Sequence, residues 1–410
     1  MNIASIPLIG AILRGPALRH RDFRLLFAAV TCNYTGYGGE QVIIGLLVFR
    51  LTNSSAWVGV ALALYFLPLL IFGMVAGAVA DWIDRQKLLR LIEALIGINL
   101  AVFGTLAALG AIELWQVLVM TFVSGSARAL YTPVRQSYAY DIVGAEQVVS
   151  GLGLLTIGMR AGQLLGALLA GSAMQRLGTD IALFVLAIIH GLAYLIVRRL
   201  HSVATETQSN PVPIVENLRE YVHEMRRNRT LLMLIFVTAA VEVLGFSFAT
   251  ILPELATQRL GVGAEGLGVI HAIRAAGGFA AGVVLAGSLN LRRRGLSYLL
   301  VIYAFGLALV ALGTALHFST ILATVLAVAA LATASDVLTQ SMMQLSVPDR
   351  LRGRAMGAWV FAIGAAPLGH LEMGALAASV GVGTALGING VALILIGVAT
   401  TMLAPGLRRL

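Results

Sequence analysis

Six ionisable side chains stand inside long apolar stretches: Glu40, Arg128, Arg160, Glu242, Arg274 and Asp336. A charge at mid-bilayer costs at least about 2.5–3.5 kcal/mol on insertion scales. Such groups therefore face a protein interior or a wet cavity, and they mark ion or substrate paths. A carboxylate removed from water can exchange a proton near neutrality. A guanidinium there can hold an anionic substrate or pair with one of the acids, and both readings stay open. Glu40 lies in "NYTGYGGEQ", where Asn33, Tyr34, Tyr37 and Gln41 fall at helical spacing and form a polar stripe. Its structural alternative is an ion pair with Arg160 or Arg128. Glu242 is its counterpart in the second half of the chain. His271 and Arg274 are one turn apart on one helix face, and Arg274 could neutralise Glu242. Asp336 lies in "ATASDVLTQ", where Ser335, Thr339 and Gln340 extend a polar face.

Other chemistry finds no support. His370 and Glu372 are two residues apart, on different helix faces, a poor arrangement for a metal. His190 reads as a lone histidine satisfied within a packing surface. No Walker loop, nucleophile elbow or metal-ligand cluster occurs, so neither an enzyme nor a cofactor is expected. Cys32 is the single cysteine and leaves no intramolecular disulfide.

The elements that must position these groups follow from composition. The chain of 410 residues is 59% hydrophobic and 11% charged, against about 45–50% and about 25% in a soluble domain. Its mean hydropathy is +0.91. The apolar runs are too long for barrel strands and lack alternation, so they are transmembrane helices in an all-α integral membrane protein. Twelve spans can be placed, from 24–49 to 383–404. A Ser/Thr/Asn/Pro-rich linker over 200–230, ending in a basic amphipathic helix, divides them six and six. The expected organisation is an interfacial N-terminal segment over 1–22, a six-helix bundle over 23–199, the linker, a second bundle over 231–404 and a tail over 405–410.

Charge orients this arrangement. All 28 cations are arginine except Lys87. They cluster at the N-terminus, after span 2, in the linker, after spans 8 and 10, and in the tail. The opposite connections hold only Arg50, Arg176 and Arg259. Basic residues hold loops on the cytoplasmic side, which places both termini in the cytoplasm of a bacterial-type inner membrane. The same reasoning accounts for a net charge of +9 without nucleic acid.

The loop "GAVADWIDRQKLLR", from Gly77 to Arg90, gathers charge between two apolar runs. With "HRDFRLLF", "LYTPVRQSYAYDIV" and "SVPDRLRGRAMGAW", it resembles the major facilitator superfamily, in the exporter branch that includes the enterobactin exporter and macrolide efflux pumps. The resemblance implies two pseudo-symmetric six-helix bundles around a central cavity. Gly77, Asp81, Arg85 and Lys87 match the family's loop motif; Trp82 and Asp84 depart from it. By resemblance, Asp81 latches the bundles at the cytoplasmic side, against the start of span 11 near Gly353 and a cation such as Arg135 or Arg354. Gly158, Gly162 and Gly166 keep the glycine frame of an antiporter motif, although Gln163 replaces its proline. These glycines line one face and permit close helix contact, for packing or for sliding.

Together these features lead to a secondary transporter, expected to act as a monomer and to export an amphipathic small molecule in exchange for protons. Glu40, with Glu242 or Asp336, would carry the proton. Uptake of a small metabolite and a lipid-handling role are the alternatives.

Overall fold

The structure is a computed structural model that describes residues 16–201, 228–287, 294–347 and 352–403. The side chains of 73–82 and 352–355 lie outside that description, as do residues 202–227, where the amphipathic helix of the linker is expected. A chain this apolar must satisfy its backbone within each segment, and every regular element among the described residues is helical. After a 3-10 turn at Pro16–Arg19, the first half runs α1 Arg21–Thr52, α2 Ser55–Trp82, α3 Arg85–Ala108, α4 Leu114–Gly144, α5 Glu146–Arg176 and α6 Thr179–Arg198. The second half runs α7 Arg229–Arg259, α8 Gly263–Gly287, α9 Arg294–Thr314, α10 Phe318–Leu345, α11 Met356–Val380 and α12 Val382–Leu403.

Local chemistry sets the ends. Asp84 caps α3 by accepting the Lys87 N–H at 2.8 Å, and Asn228 caps α7 by accepting the Leu231 N–H at 3.1 Å. Glu113 and Gln116 form a reciprocal box at the start of α4. Helices α4 and α5 are two helices separated by a kink at Gly144, whose φ of 71° suits a residue without Cβ. Helix α7 is less regular. It passes through a 3-10 stretch at Phe246–Ile251 and a π turn at Leu255–Arg259.

Eleven of these helices are long and apolar enough to cross a membrane by composition. The exception is α1, with 32 residues. Its polar stripe lowers its hydropathy, yet Asn33, Tyr34, Glu40 and Gln41 are all buried, so protein rather than lipid meets them. The twelve-helix expectation thus holds, with α1 as an inner helix of the first bundle.

Within the first half, α1 packs on α5 and α6, and α3 on α6; within the second, α9 packs on α12 and α8 on α10. The glycine face of α5 belongs to this intra-bundle packing. A Cβ on Gly162 or Gly166 would run into the α1 backbone at Thr31 and Thr35, and one on Gly158 would meet Thr31 and Phe27. The close glycine contacts between the halves lie elsewhere. They are formed by α5 on α8, where Gly171 faces Gly268, and by α2 on α11, where Gly59 faces Gly374. All four glycines lie toward the end of the molecule that carries the 52–54 and 177–178 turns. Hydrogen bonds between the halves gather there too. Ser55 donates to Glu254, Gln258 to Asn53 at 2.9 Å, Arg176 to Glu265 at 3.0 Å, and the Ala264 N–H to Gln175 at 3.0 Å.

Candidate functional site

The polar stripe of α1 anchors a buried network through the first half. Glu40 accepts from Ser124 of α4 at 2.8 Å and pairs with Arg128 at 3.4 Å, with the Tyr65 hydroxyl at 3.5 Å. Arg128 also donates to Asn33 at 3.0 Å, two turns back on α1. Asn33 in turn donates to Glu93 of α3 at 2.8 Å, and Glu93 meets His190 of α6 at 2.8 Å. Glu93 and His190 are both fully buried. The chain from Tyr65 to His190 therefore ties five helices together through paired polar groups, with Arg128 Nε and His190 Nε2 left without a hydrogen-bond partner among the described residues.

Of the two partners expected for Glu40, Arg128 is the one present. Its guanidinium also stacks on the Tyr37 ring, 4.3 Å from the centroid. Tyr34 packs edge-on against Tyr37 and Tyr131. Glu93 has no place among the expected site residues. It stands near the start of span 88–111, where an acid reads as an interfacial group, and only the packing of α6 shows that it is enclosed. His190, expected to be satisfied within a packing surface, meets this carboxylate through Nδ1, while its buried Nε2 has no hydrogen-bond partner among the described residues.

The second cluster lies between the halves. A cleft with about 390 Å³ of empty space is lined by Tyr37, Gln41, Arg160 and Gln163 from the first half and by His271 and Arg274 from the second. Arg160 donates to Gln163 at 3.3 Å, and Arg274 lies over the Phe248 ring at 5.5 Å. Arg160 acts electrostatically on Arg274. Neither guanidinium forms an ion pair among the described residues. The expected neutralisation of Glu242 by Arg274 is therefore not formed. Helix α7 leaves regular α geometry just beyond Glu242, and the group it presents to Arg274 is the Phe248 ring.

Glu242 instead lies within electrostatic range of Asp336. Asp336 accepts the Trp359 indole N–H at 2.8 Å and is in electrostatic range of Arg160. Two half-buried carboxyl groups of the second half thus lie within electrostatic range, near the arginine cleft. His370 hydrogen-bonds Thr250 at 2.9 Å and stacks on Phe66, while Glu372 accepts from Asn389 at 3.0 Å, so the two do face different helices.

The loop motif is described in part. Arg85 pairs with Asp141 at the end of α4, and Gln86 reaches the terminal carbonyls of α6, bracing the first half at that end. Arg135 is buried on the Met159 sulfur with its guanidinium over the Tyr34 ring. The latch contacts of Gly77, Asp81, Gly353 and Arg354 lie outside the described residues.

Three comparisons place this geometry among known proteins. A family model described as "transmembrane secretion effector" matches residues 15–406. The chain is 25% identical over 361 residues to the staphyloferrin A transporter of Staphylococcus aureus, covering 86% of this chain and 89% of that one. It is 24% identical over 201 residues to macrolide efflux protein A of Streptococcus pyogenes, covering 48% of this chain and 49% of that one. Its fold superposes on a variant of the nucleoside transporter NupG with a TM-score of 0.80, at 11% identity, covering 93% of this chain and 99% of that one.

Proposed function

The chain belongs to the transmembrane secretion effector family, with the major facilitator fold, and on that footing we propose that it exports an amphipathic small molecule by alternating access, in exchange for protons. The observation that carries this reading is the seam between the halves. Close glycine pairs and four hydrogen bonds join the halves at one end, and the polar cleft lies between them. A seam of that kind supports rocking of one bundle against the other about a fixed central site. By the distribution of arginine, the joined end is the outer one, and the described state is closed to the outside.

The Glu242 and Asp336 carboxyls support proton exchange. They lie together in the second half, and like charges that share a buried site favour retention of one proton. Glu40 is held differently, in an ion pair with Arg128. In this reading, the Glu242 and Asp336 pair carries the proton and Glu40 fixes α1 to α4. Export rather than uptake is supported by the efflux protein among the relatives.

The test is a proteoliposome assay. Erythromycin and citrate serve as trial substrates, with an imposed pH gradient and a pH-sensitive dye inside. Substrate added on one side should move protons the opposite way in wild-type vesicles. Substrate flux unchanged by collapse of the gradient would remove the proton coupling. Loading driven only in the inward sense would favour uptake.

A further inference from the structure

We propose that the cleft between the halves is an oxyanion site, and that the cargo is a small organic acid whose carboxylates bridge Arg160 of one half and Arg274 of the other. The proposal rests on the transporter reading above and names its substrate class.

Arg160 and Arg274 enter one cleft from α5 and α8, the two helices that also meet through Gly171 and Gly268. Two guanidinium groups held within electrostatic range of each other repel, and inside a membrane protein that repulsion is weakly screened. While Arg135 rests on the Met159 sulfur and the Tyr34 ring, acids neutralise two other enclosed cations, Glu40 pairing with Arg128 and Asp141 with Arg85. Arg160 and Arg274 lack such a partner among the described residues. Asp336, in electrostatic range of Arg160, is committed to the Trp359 indole.

A second observation points the same way. Gln41 is 6% exposed and lines the cleft, and its Nε2 has no hydrogen-bond acceptor. An unpaired buried donor is costly, and an incoming oxygen would satisfy it. The cleft thus offers two planar forks and an amide N–H₂ to one ligand. Guanidinium forks match carboxylates bidentately. Tyr37 lines the cleft and the Phe248 ring lies against Arg274, which suits a ligand with a carbon skeleton rather than a bare ion. Because the two arginines come from opposite halves, a bridging anion would also draw α5 and α8 together and so link occupancy to closure.

The experiment is a thermal-unfolding titration of the purified full chain in detergent at constant ionic strength. The probes are citrate, its neutral trimethyl ester, sulfate and erythromycin. Citrate should raise the midpoint saturably, the ester should not, and sulfate should be weaker than citrate. Arg160→Gln and Arg274→Gln should each raise the half-saturating citrate concentration by at least about tenfold. Arg199→Gln, exposed and outside both the cleft and the seam, should leave it unchanged. Arg160→Lys and Arg274→Lys keep the charge and lose the fork; they should fall between the two and remain testable if the Gln variants do not fold. Citrate acting no better than sodium chloride, the Gln variants titrating like wild type, or sulfate equalling citrate would each overturn the proposal. Erythromycin stabilising wild type and both Gln variants alike, with citrate inert, would overturn the anion site and leave the transporter reading standing.

Discussion

The Arg128 guanidinium lies 3.4 Å from the Glu40 carboxylate and 3.0 Å from the Asn33 amide oxygen, clamping α4 to two points of α1 that lie two turns apart. Removal of one partner of a buried ion pair leaves an uncompensated charge and costs about 3–5 kcal/mol. Glu40→Gln should therefore lower the thermal-unfolding midpoint markedly, and the double variant with Arg128→Gln should recover part of the loss. A Glu40→Gln midpoint equal to wild type would show that the pair does not hold these helices.

The glycine face of α5 makes a sharper packing prediction. A side chain at Gly166 would meet the Thr35 carbonyl of α1, which is backbone and cannot swing aside. Gly166→Val should cost about 1–3 kcal/mol by overpacking, read as a lower midpoint or loss of monodisperse protein. Nothing lies within 4 Å of a Cβ at Gly153, so Gly153→Ala on the same helix should be tolerated. Equal behaviour of the two variants would contradict the close approach of α5 to α1.

Much of this arrangement is legible in the sequence, and what is not has physical causes. Apolar run length and the two-sided placement of arginine suffice for twelve spans in two halves, because lipid leaves the backbone few alternatives. The polar stripe of α1 is also readable, since Asn33, Tyr37 and Gln41 recur every fourth residue. Partner choice is harder. Glu40 can reach Arg128 or Arg160 in a one-dimensional reading, and only the packing of α4 selects Arg128. Arg274 is adjacent to Glu242 in expectation but not in space, because α7 loosens at Phe246–Ile251. Glu93 stands too near a span end to stand out, and α6 is what encloses it.

Separate roles for the carboxylates follow from their neighbours. If Glu242 and Asp336 exchange the proton, then Glu242→Gln and Asp336→Asn should abolish pH-driven flux while leaving substrate exchange at equal pH. Counterflow and gradient-driven flux measured in the same proteoliposomes separate the two. Retention of full gradient-driven flux by both variants would remove these acids from the coupling step.

The loop motif carries its own prediction. If Asp81 latches the two bundles, it acts on the equilibrium between states rather than on the cleft, and Asp81→Asn should impair transport and leave substrate binding largely intact. Wild-type turnover in that variant would sink the latch. A parallel loss of binding would place Asp81 in a structural role.

Alternation between two states of the seam underlies every functional statement above, and spin-label distances test it most directly. With Cys32→Ser, labels at Leu177 and Leu316 report one end across the halves, and labels at Ile83 and Leu345 report the other; all four positions are exposed. Glu254→Gln weakens the Ser55 hydrogen bond that joins the halves. A hydrogen bond to a charged group contributes about 1.5–3 kcal/mol, which shifts a two-state equilibrium by roughly tenfold or more. The account predicts two distance populations for each pair, the Leu177 and Leu316 pair lengthening as the Ile83 and Leu345 pair shortens, with Glu254→Gln enriching the state open at the first pair. A single unchanging distance at both ends, across pH, citrate and Glu254→Gln, would contradict it.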